Sequence, residues 1–344
     1  MRKFWEKYKF VILLFLIWRA TLFVLGLVSF NLLRFNASFP YIREALLPTG
    51  LPQNIWHWAN FDGVHYLMIA QFGYNGIVNN EQVFFPLYPI LISSLTWLTH
   101  NYLISGLLIS NFFALMSGLL IFKHFGKWAT LFFYLFPTAF FLGSLYSESL
   151  FIFLVILTFY KSKIFGMLAG LTRLVGGAAG FLGILGVAGY MLYLKLVFNN
   201  PLLFLFNQGG FNNGRASSLG GMITPFQTVF RYIKIFITAD RTNVAYYISV
   251  LELSAFVFGV LVMGILTYRK KLSFWILIFG WSVLIIPSIT GTLTSMPRYI
   301  LAVFPIFAAL GSLKSYKLKL AILGFFTIIQ AVLTILFVRG YFVA

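Results

Sequence analysis

Residues 10–33 read FVILLFLIWRATLFVLGLVSFNLL. A run of this length and character suits one helical crossing of a hydrocarbon core. The basic segment before it, Met1 to Lys9, is followed by no small-residue cleavage pattern, so the run reads as a retained first span and not as a signal peptide. Apolar runs recur from there to the end of the chain. Of its 344 residues 60% are hydrophobic and only 9% are charged, whereas a soluble domain carries about a quarter of its residues charged. The expectation is an all-α polytopic membrane protein whose outer surface is solvated by lipid.

The net charge is +18, from 25 Lys and Arg against seven acids. In a soluble protein that balance points to nucleic acid, but here the basic residues sit in short clusters at the ends of apolar runs, as orientation signals do. No basic face of useful size exists, which excludes nucleic acid as a partner. Cysteine is absent, so disulfides, thiolate metal sites and thiol nucleophiles are excluded.

Working outward from the first span, Arg2, Lys3, Lys7 and Lys9 stay cytoplasmic and residues 34–83 form a large first outer loop with Trp56-His57-Trp58 at headgroup level. Residues 84–98 are short and open on prolines, and read as non-spanning. Residues 102–122 and 128–144 cross in opposite directions around Lys123 and Lys127, and 150–160 return to Lys161 and Lys163. Residues 164–194 are interrupted by glycines and by Arg173, and read as one long or broken crossing with Arg173 at membrane depth. A second outer loop, 196–243, is polar around Gln208 and Asn212-Asn213. It turns amphipathic from Thr224 to Ile237, where Arg231 and Lys234 share a face. Residues 244–268, which lead to Arg269-Lys270-Lys271, then 272–290, a short span toward Lys314, and 320–338 complete the chain. The expected architecture is one transmembrane domain of about nine to ten helices. Its reactive groups lie on the outer face of what its size and short loops make a prokaryotic plasma membrane.

Chemistry concentrates in the first outer loop. Asp62, His65 and Tyr66 fall at i, i+3 and i+4, one face of a helix. A carboxylate partly withdrawn from water serves as a general base toward a hydroxyl, or alternatively caps the helix. His65 fits substrate hydrogen bonding. The spacing of His57, His65, His100 and His124 matches no metal motif. Glu148, in the outer turn Tyr146-Ser147-Glu148-Ser149, is a cap or a ligand for a polar substrate. Glu252, inside an apolar run, needs an internal partner. Arg173, Arg215 and Arg298 are each either headgroup anchors or, through the guanidinium fork, phosphate ligands.

These residues resemble the PIG-V-like mannosyltransferases of the GT-C superfamily. The resemblance rests on Phe61-Asp62-Gly63-Val64-His65-Tyr66-Leu67 with Ile69-Ala70 and Gly73-Tyr74, and on Phe84-Phe85-Pro86-Leu87-Tyr88-Pro89. It continues through Ser110-Asn111, Phe136-Pro137-Thr138-Ala139-Phe140-Phe141 and Tyr146-Ser147-Glu148-Ser149-Leu150-Phe151. Leu171-Thr172-Arg173 with Gly176, then Pro297-Arg298-Tyr299 and Phe304-Pro305, complete the order. The family usually carries Trp where this chain has Phe61, and a longer segment after its Thr-Arg motif.

The resemblance implies a GT-C-like bundle and an inverting transfer of mannose, or a related hexose, from a polyprenyl-phosphate donor to a hydroxyl of a glycan, lipid or protein acceptor. Asp62 would be the catalytic base. His65, Tyr66, Tyr146, Glu148 and Gln208 would contact substrate, and Arg173, Arg215 and Arg298 the donor phosphate. No cofactor is implied, and no Gly-rich phosphate loop is present. A lipid-linked sugar flippase and a noncatalytic assembly subunit are the other readings of the same pattern.

Overall fold

The computed structural model describes residues 2–75, 80–211, 214–216, 218–270 and 272–343; Asn212, Asn213 and Lys271 lie outside the described residues. Among the described residues all regular structure is helical. In chain order the main helices are α1 (Arg2–Leu32), α2 (Asp62–Phe72), α3 (Leu87–Thr99), α4 (Tyr102–Tyr134), α5 (Glu148–Tyr160) and α6 (Ile164–Gly170). They continue as α7 (Phe181–Phe198), α8 (Pro225–Thr238), α9 (Val244–Tyr268), α10 (Phe274–Ser288), α11 (Met296–Tyr299) and α12 (Tyr316–Val338). Five of them, α1, α4, α7, α9 and α12, are long and apolar enough to cross a membrane. The apolar helices α3, α5 and α10 are shorter. At 1.5 Å per residue each extends roughly 20 Å, against a core of roughly 30 Å. The chain is a multi-pass, all-α integral membrane protein, and among the described residues five helices have full spanning length, against the nine to ten transmembrane helices expected.

The chain divides into two compact units. The first comprises Met1–Val78, Leu87–Ile156 and Phe307–Val343. In it α1 packs on α4 and α12, and α3 lies between α2 and α4. Helix α4 is not one rod. Gly126 has φ +78° and ψ −174°, a conformation open to glycine and costly for other residues. The chain reverses there, and the Tyr134 hydroxyl donates to the Ala114 carbonyl at 3.0 Å. The turn between Lys123 and Lys127 is therefore where the charge pattern puts it, but the second leg ends at Tyr134 instead of near residue 144. Pro137 lacks an N–H with which to continue a helical ladder. The carbonyls of Tyr134 and Phe136 are satisfied instead by Gln330 Nε2 of α12, at 2.9 and 2.8 Å.

The second unit comprises Asn79–Pro86, Leu157–Ile306 and Ala344. The run 164–194 is not one crossing but a hairpin: α6, a 3-10 stretch Leu174–Ala179, then α7 folded back along α6 and long and apolar enough to cross by itself. Gly170, Gly183 and Gly186 let these backbones touch, because a Cβ on any of them would strike a main-chain carbonyl of the opposing segment. Helix α8 opens on a capping box. Thr224 Oγ1 accepts from Gln227 N at 3.2 Å, and Gln227 Oε1 accepts from Thr224 N at 2.9 Å. The short span expected after Arg298 is not continuous: a 3-10 turn, Ile300–Ala302, is followed by the seven-residue helix Pro305–Gly311.

Candidate functional site

In the first unit the site begins with a strained residue. Phe61 has φ +60° and ψ −117°, which for a side chain with a Cβ costs on the order of 1–3 kcal/mol. Its ring is held by Phe39, Phe342 and Phe337 at centroid distances of 4.7, 5.7 and 5.9 Å. This turn starts α2 at Asp62. The N-cap position belongs to Phe61, which makes no side-chain cap bond. Asp62 is thus the first helical residue, with its carboxylate at the electropositive end of the helix. It is half-buried, whereas Gly63 to Ala70 are buried.

The first turn of α2 is clamped to the 144–148 segment. A Cβ on Gly63 would lie 3.1 Å from Ala59 Cβ and 3.2 Å from the Leu145 carbonyl, closer than side chains ordinarily pack, so glycine eases this approach. Leu145 N donates to the Trp58 carbonyl at 2.9 Å, and Tyr146 Oη donates to the Asn60 carbonyl at 2.8 Å. The hydroxyls of Tyr66 and Ser147 share a hydrogen bond of 2.8 Å. Ser110 Oγ donates to the Tyr146 carbonyl at 3.1 Å and pairs with Tyr88 Oη at 2.6 Å. Asn60 Nδ2 donates to the Phe337 carbonyl at 2.8 Å. The structure therefore brings Asp62, His65, Tyr66, Tyr146 and Glu148 into one network of neighbouring segments.

The electrostatics of this group differ residue by residue. Burial holds His65 down at about 4, against the opposing pull of Asp62. The imidazole is neutral at pH 7 and offers one donor and one acceptor. Glu148 is buried as the first residue of α5. Asp62 is half-buried at the start of α2, one turn before the neutral imidazole of His65.

The second unit gathers the arginines. Arg215 Nη2 donates to Tyr299 Oη at 2.7 Å and to the Thr294 carbonyl at 2.9 Å, while Nη1 donates to Gln208 Oε1 at 3.1 Å. Burial pushes the Tyr299 hydroxyl up, but the combined charges of Arg215, Arg298 and Arg173 bring it below its ordinary value. All three arginines singled out from the sequence thus act on one hydroxyl, and Gln208 holds one of them. Arg173 lies in extended backbone between α6 and the following 3-10 turn. Glu252 has the internal partners it needs: Oε2 accepts from Tyr232 Oη at 2.6 Å and Oε1 from Ser295 N at 3.3 Å.

Sequence reasoning missed Tyr299 as the residue on which the arginines meet, and Asn60 and Ser147 as clamps of the Asp62 turn. Each lies beside or inside a quoted motif, and that position was its one signal. It also passed over Arg19 inside the first apolar run. Among the described residues no cluster of three or more His, Asp or Glu side chains is arranged to hold a metal ion. No family model, no curated protein and no solved structure matches this chain.

Proposed function

We propose that this protein is an inverting glycosyltransferase of GT-C type, which moves mannose or a related hexose from a polyprenyl-phosphate donor to an acceptor hydroxyl. The observation that carries the reading is Asp62: a half-buried residue at the start of a helix, preceded by the strained Phe61 and by Asn60, whose carbonyl is held by Tyr146. Strain of this kind persists where surrounding structure over-determines it, and such places cluster at functional sites.

In the proposed reaction Asp62 takes the proton of the acceptor hydroxyl as its oxygen bonds to the anomeric carbon. The bond from that carbon to the phosphate oxygen breaks, and the electron pair leaves with the polyprenyl phosphate. A phosphate leaves readily, so one base suffices where glycoside hydrolysis employs two carboxylates. Arg173, Arg215 and Arg298 are assigned the phosphate; His65, Tyr66, Tyr146, Glu148 and Gln208 are assigned hydroxyl contacts or the support of groups that make them. The proposed reaction takes place on the outer face, a side in keeping with the basic clusters read as cytoplasmic, and the membrane proposed is a prokaryotic plasma membrane.

The test is transfer by purified protein in nanodiscs, with polyprenyl-phosphate-mannose, a panel of glycan, lipid and peptide acceptors, and a chelator present. Product of inverted anomeric configuration supports the reading. Folded protein that neither consumes nor binds the donor overturns it.

A further inference from the structure

In the first unit, α1 and α4 enclose an open-sided groove of about 500 Å³, lined by Leu16, Phe23, Leu107 and Leu108 together with two polar side chains, Arg19 and Asn111. Leu16 and Leu108 are more than half exposed, so the groove opens on the apolar surface that faces lipid. Arg19 has its guanidinium 4.3 Å over the Trp58 ring. Its other side lies against Gly143, where a Cβ would come within 3.2 Å of Nη1. Among the described residues Arg19 makes no hydrogen bond or ion pair, and its Nη1 is buried. Its neighbour His57 is no counter-ion, for burial and then the charges of Arg19 and Arg339 disfavour its charged form.

Asn111 is the second half of the observation. Its Nδ2 donates to the carbonyls of Leu107 and Gly143, at 2.7 and 3.2 Å, which sets the orientation of the amide. Oδ1 is left buried with no donor. A cation with a ring face but no counter-ion, and an unmet acceptor, both lining one apolar groove, are costly. One ligand chemistry answers both, a phosphate oxygen for the guanidinium and a hydroxyl for the amide oxygen, with an acyl chain along the leucines. Arg19 is thirteen residues before the end of α1 at Leu32, roughly 20 Å along the axis. Trp58 and Gly143 flank the guanidinium on two sides, and its remaining side faces the groove.

We propose that this groove binds a bilayer phospholipid with an anionic, hydroxyl-bearing headgroup, such as phosphatidylglycerol, its phosphate on Arg19 and a headgroup hydroxyl on Asn111. The site is separate from the Asp62 chemistry and stands or falls without it. Its test is native mass spectrometry of the full chain released from nanodiscs. Phosphatidylglycerol, phosphatidylcholine and phosphatidic acid of identical chains are compared, with polyprenyl phosphate as competitor.

Wild type retains phosphatidylglycerol about tenfold over phosphatidylcholine, whose choline offers no hydroxyl to Asn111 and neutralises the charge presented to Arg19. Arg19→Gln lowers phosphatidylglycerol retention about tenfold. Asn111→Leu abolishes the preference of phosphatidylglycerol over phosphatidic acid. Leu108→Trp, which leaves Arg19 in place and fills the groove, removes phosphatidylglycerol retention and covers the case in which the arginine variant does not fold. Equal retention of the two diacylglycerol phosphodiesters by wild type overturns the proposal, as does a preference that survives Leu108→Trp. Displacement of phosphatidylglycerol by equimolar polyprenyl phosphate assigns the groove to another lipid and overturns it equally.

Discussion

The hydroxyl of Tyr146 donates to the main-chain carbonyl of Asn60 at 2.8 Å, across 86 residues of sequence. The bond joins the turn before α5 to the two-residue approach to Asp62. Tyr146→Phe deletes this hydroxyl and keeps the ring packed on Phe141 and Phe337. It leaves a buried carbonyl without its donor, a loss of about 1–3 kcal/mol. The expected result is a lower unfolding temperature in detergent together with a fall in kcat at nearly unchanged donor KM. A variant with wild-type kcat would separate this clamp from catalysis.

Phe61 supplies a test of backbone strain. Glycine is ordinarily worse than alanine within a folded element, but at φ +60° the order reverses, because glycine pays no Cβ penalty there. Phe61→Ala loses the ring contacts and keeps the strain; Phe61→Gly loses the contacts and relieves it. Phe61→Gly is expected to unfold at a higher temperature than Phe61→Ala, with Phe61→Trp retaining most of the packing. Alanine more stable than glycine would contradict the conformation described for this residue.

Acid sensitivity follows from the buried histidines. Burial lowers His65 to about 4, and burial followed by Arg19 and Arg339 lowers His57 to about 3. Both values lie below the ordinary 6.5, so the unfolded chain binds protons that the folded chain refuses. Stability from each group is whole above about pH 6.5 and drains away as the pH falls toward the folded value, by up to a few kcal/mol. Thermal unfolding scanned from pH 7.5 to 4 is expected to show a falling midpoint, and His65→Gln to flatten part of that slope. A midpoint independent of pH in wild type would rule out neutral burial of these rings.

The arginine cluster predicts a split in the kinetics. Arg215→Gln removes the donor held by Tyr299 and Gln208. It is expected to raise the donor KM by roughly tenfold, as loss of one charge-assisted contact does. The same variant should raise the pH at which Tyr299 ionises, read as tyrosinate absorbance against a Tyr299→Phe control. A KM unchanged in Arg215→Gln would remove this residue from phosphate binding.

Much of this was legible in the chain itself, for physical reasons that also set the limit. Long apolar runs such as 10–33 and 244–268 declare helices because lipid leaves the backbone no other way to satisfy its hydrogen bonds. The i, i+3, i+4 spacing of Asp62, His65 and Tyr66 likewise needs nothing beyond helical geometry, and α2 has it. The end of α4 at Tyr134 was not legible, since it depends on Gln330 arriving from far along the chain to take two carbonyls. Nor was the short span after Arg298, whose apolar residues are spent on a 3-10 turn and a helix of seven residues. Phe61 read as a departure from the family's Trp; its positive φ, held by three rings distant in sequence, has no local signature.

The measurement that bears most directly on the central claim is single-turnover transfer by Asp62→Asn, with donor affinity and unfolding temperature determined on the same preparation. Asparagine keeps the shape of the side chain and cannot take a proton. The account predicts donor binding and folding close to wild type, with transfer reduced by at least about a hundredfold, the low end for loss of a general base. Transfer within a few-fold of wild type, by a variant that binds donor normally, would contradict it.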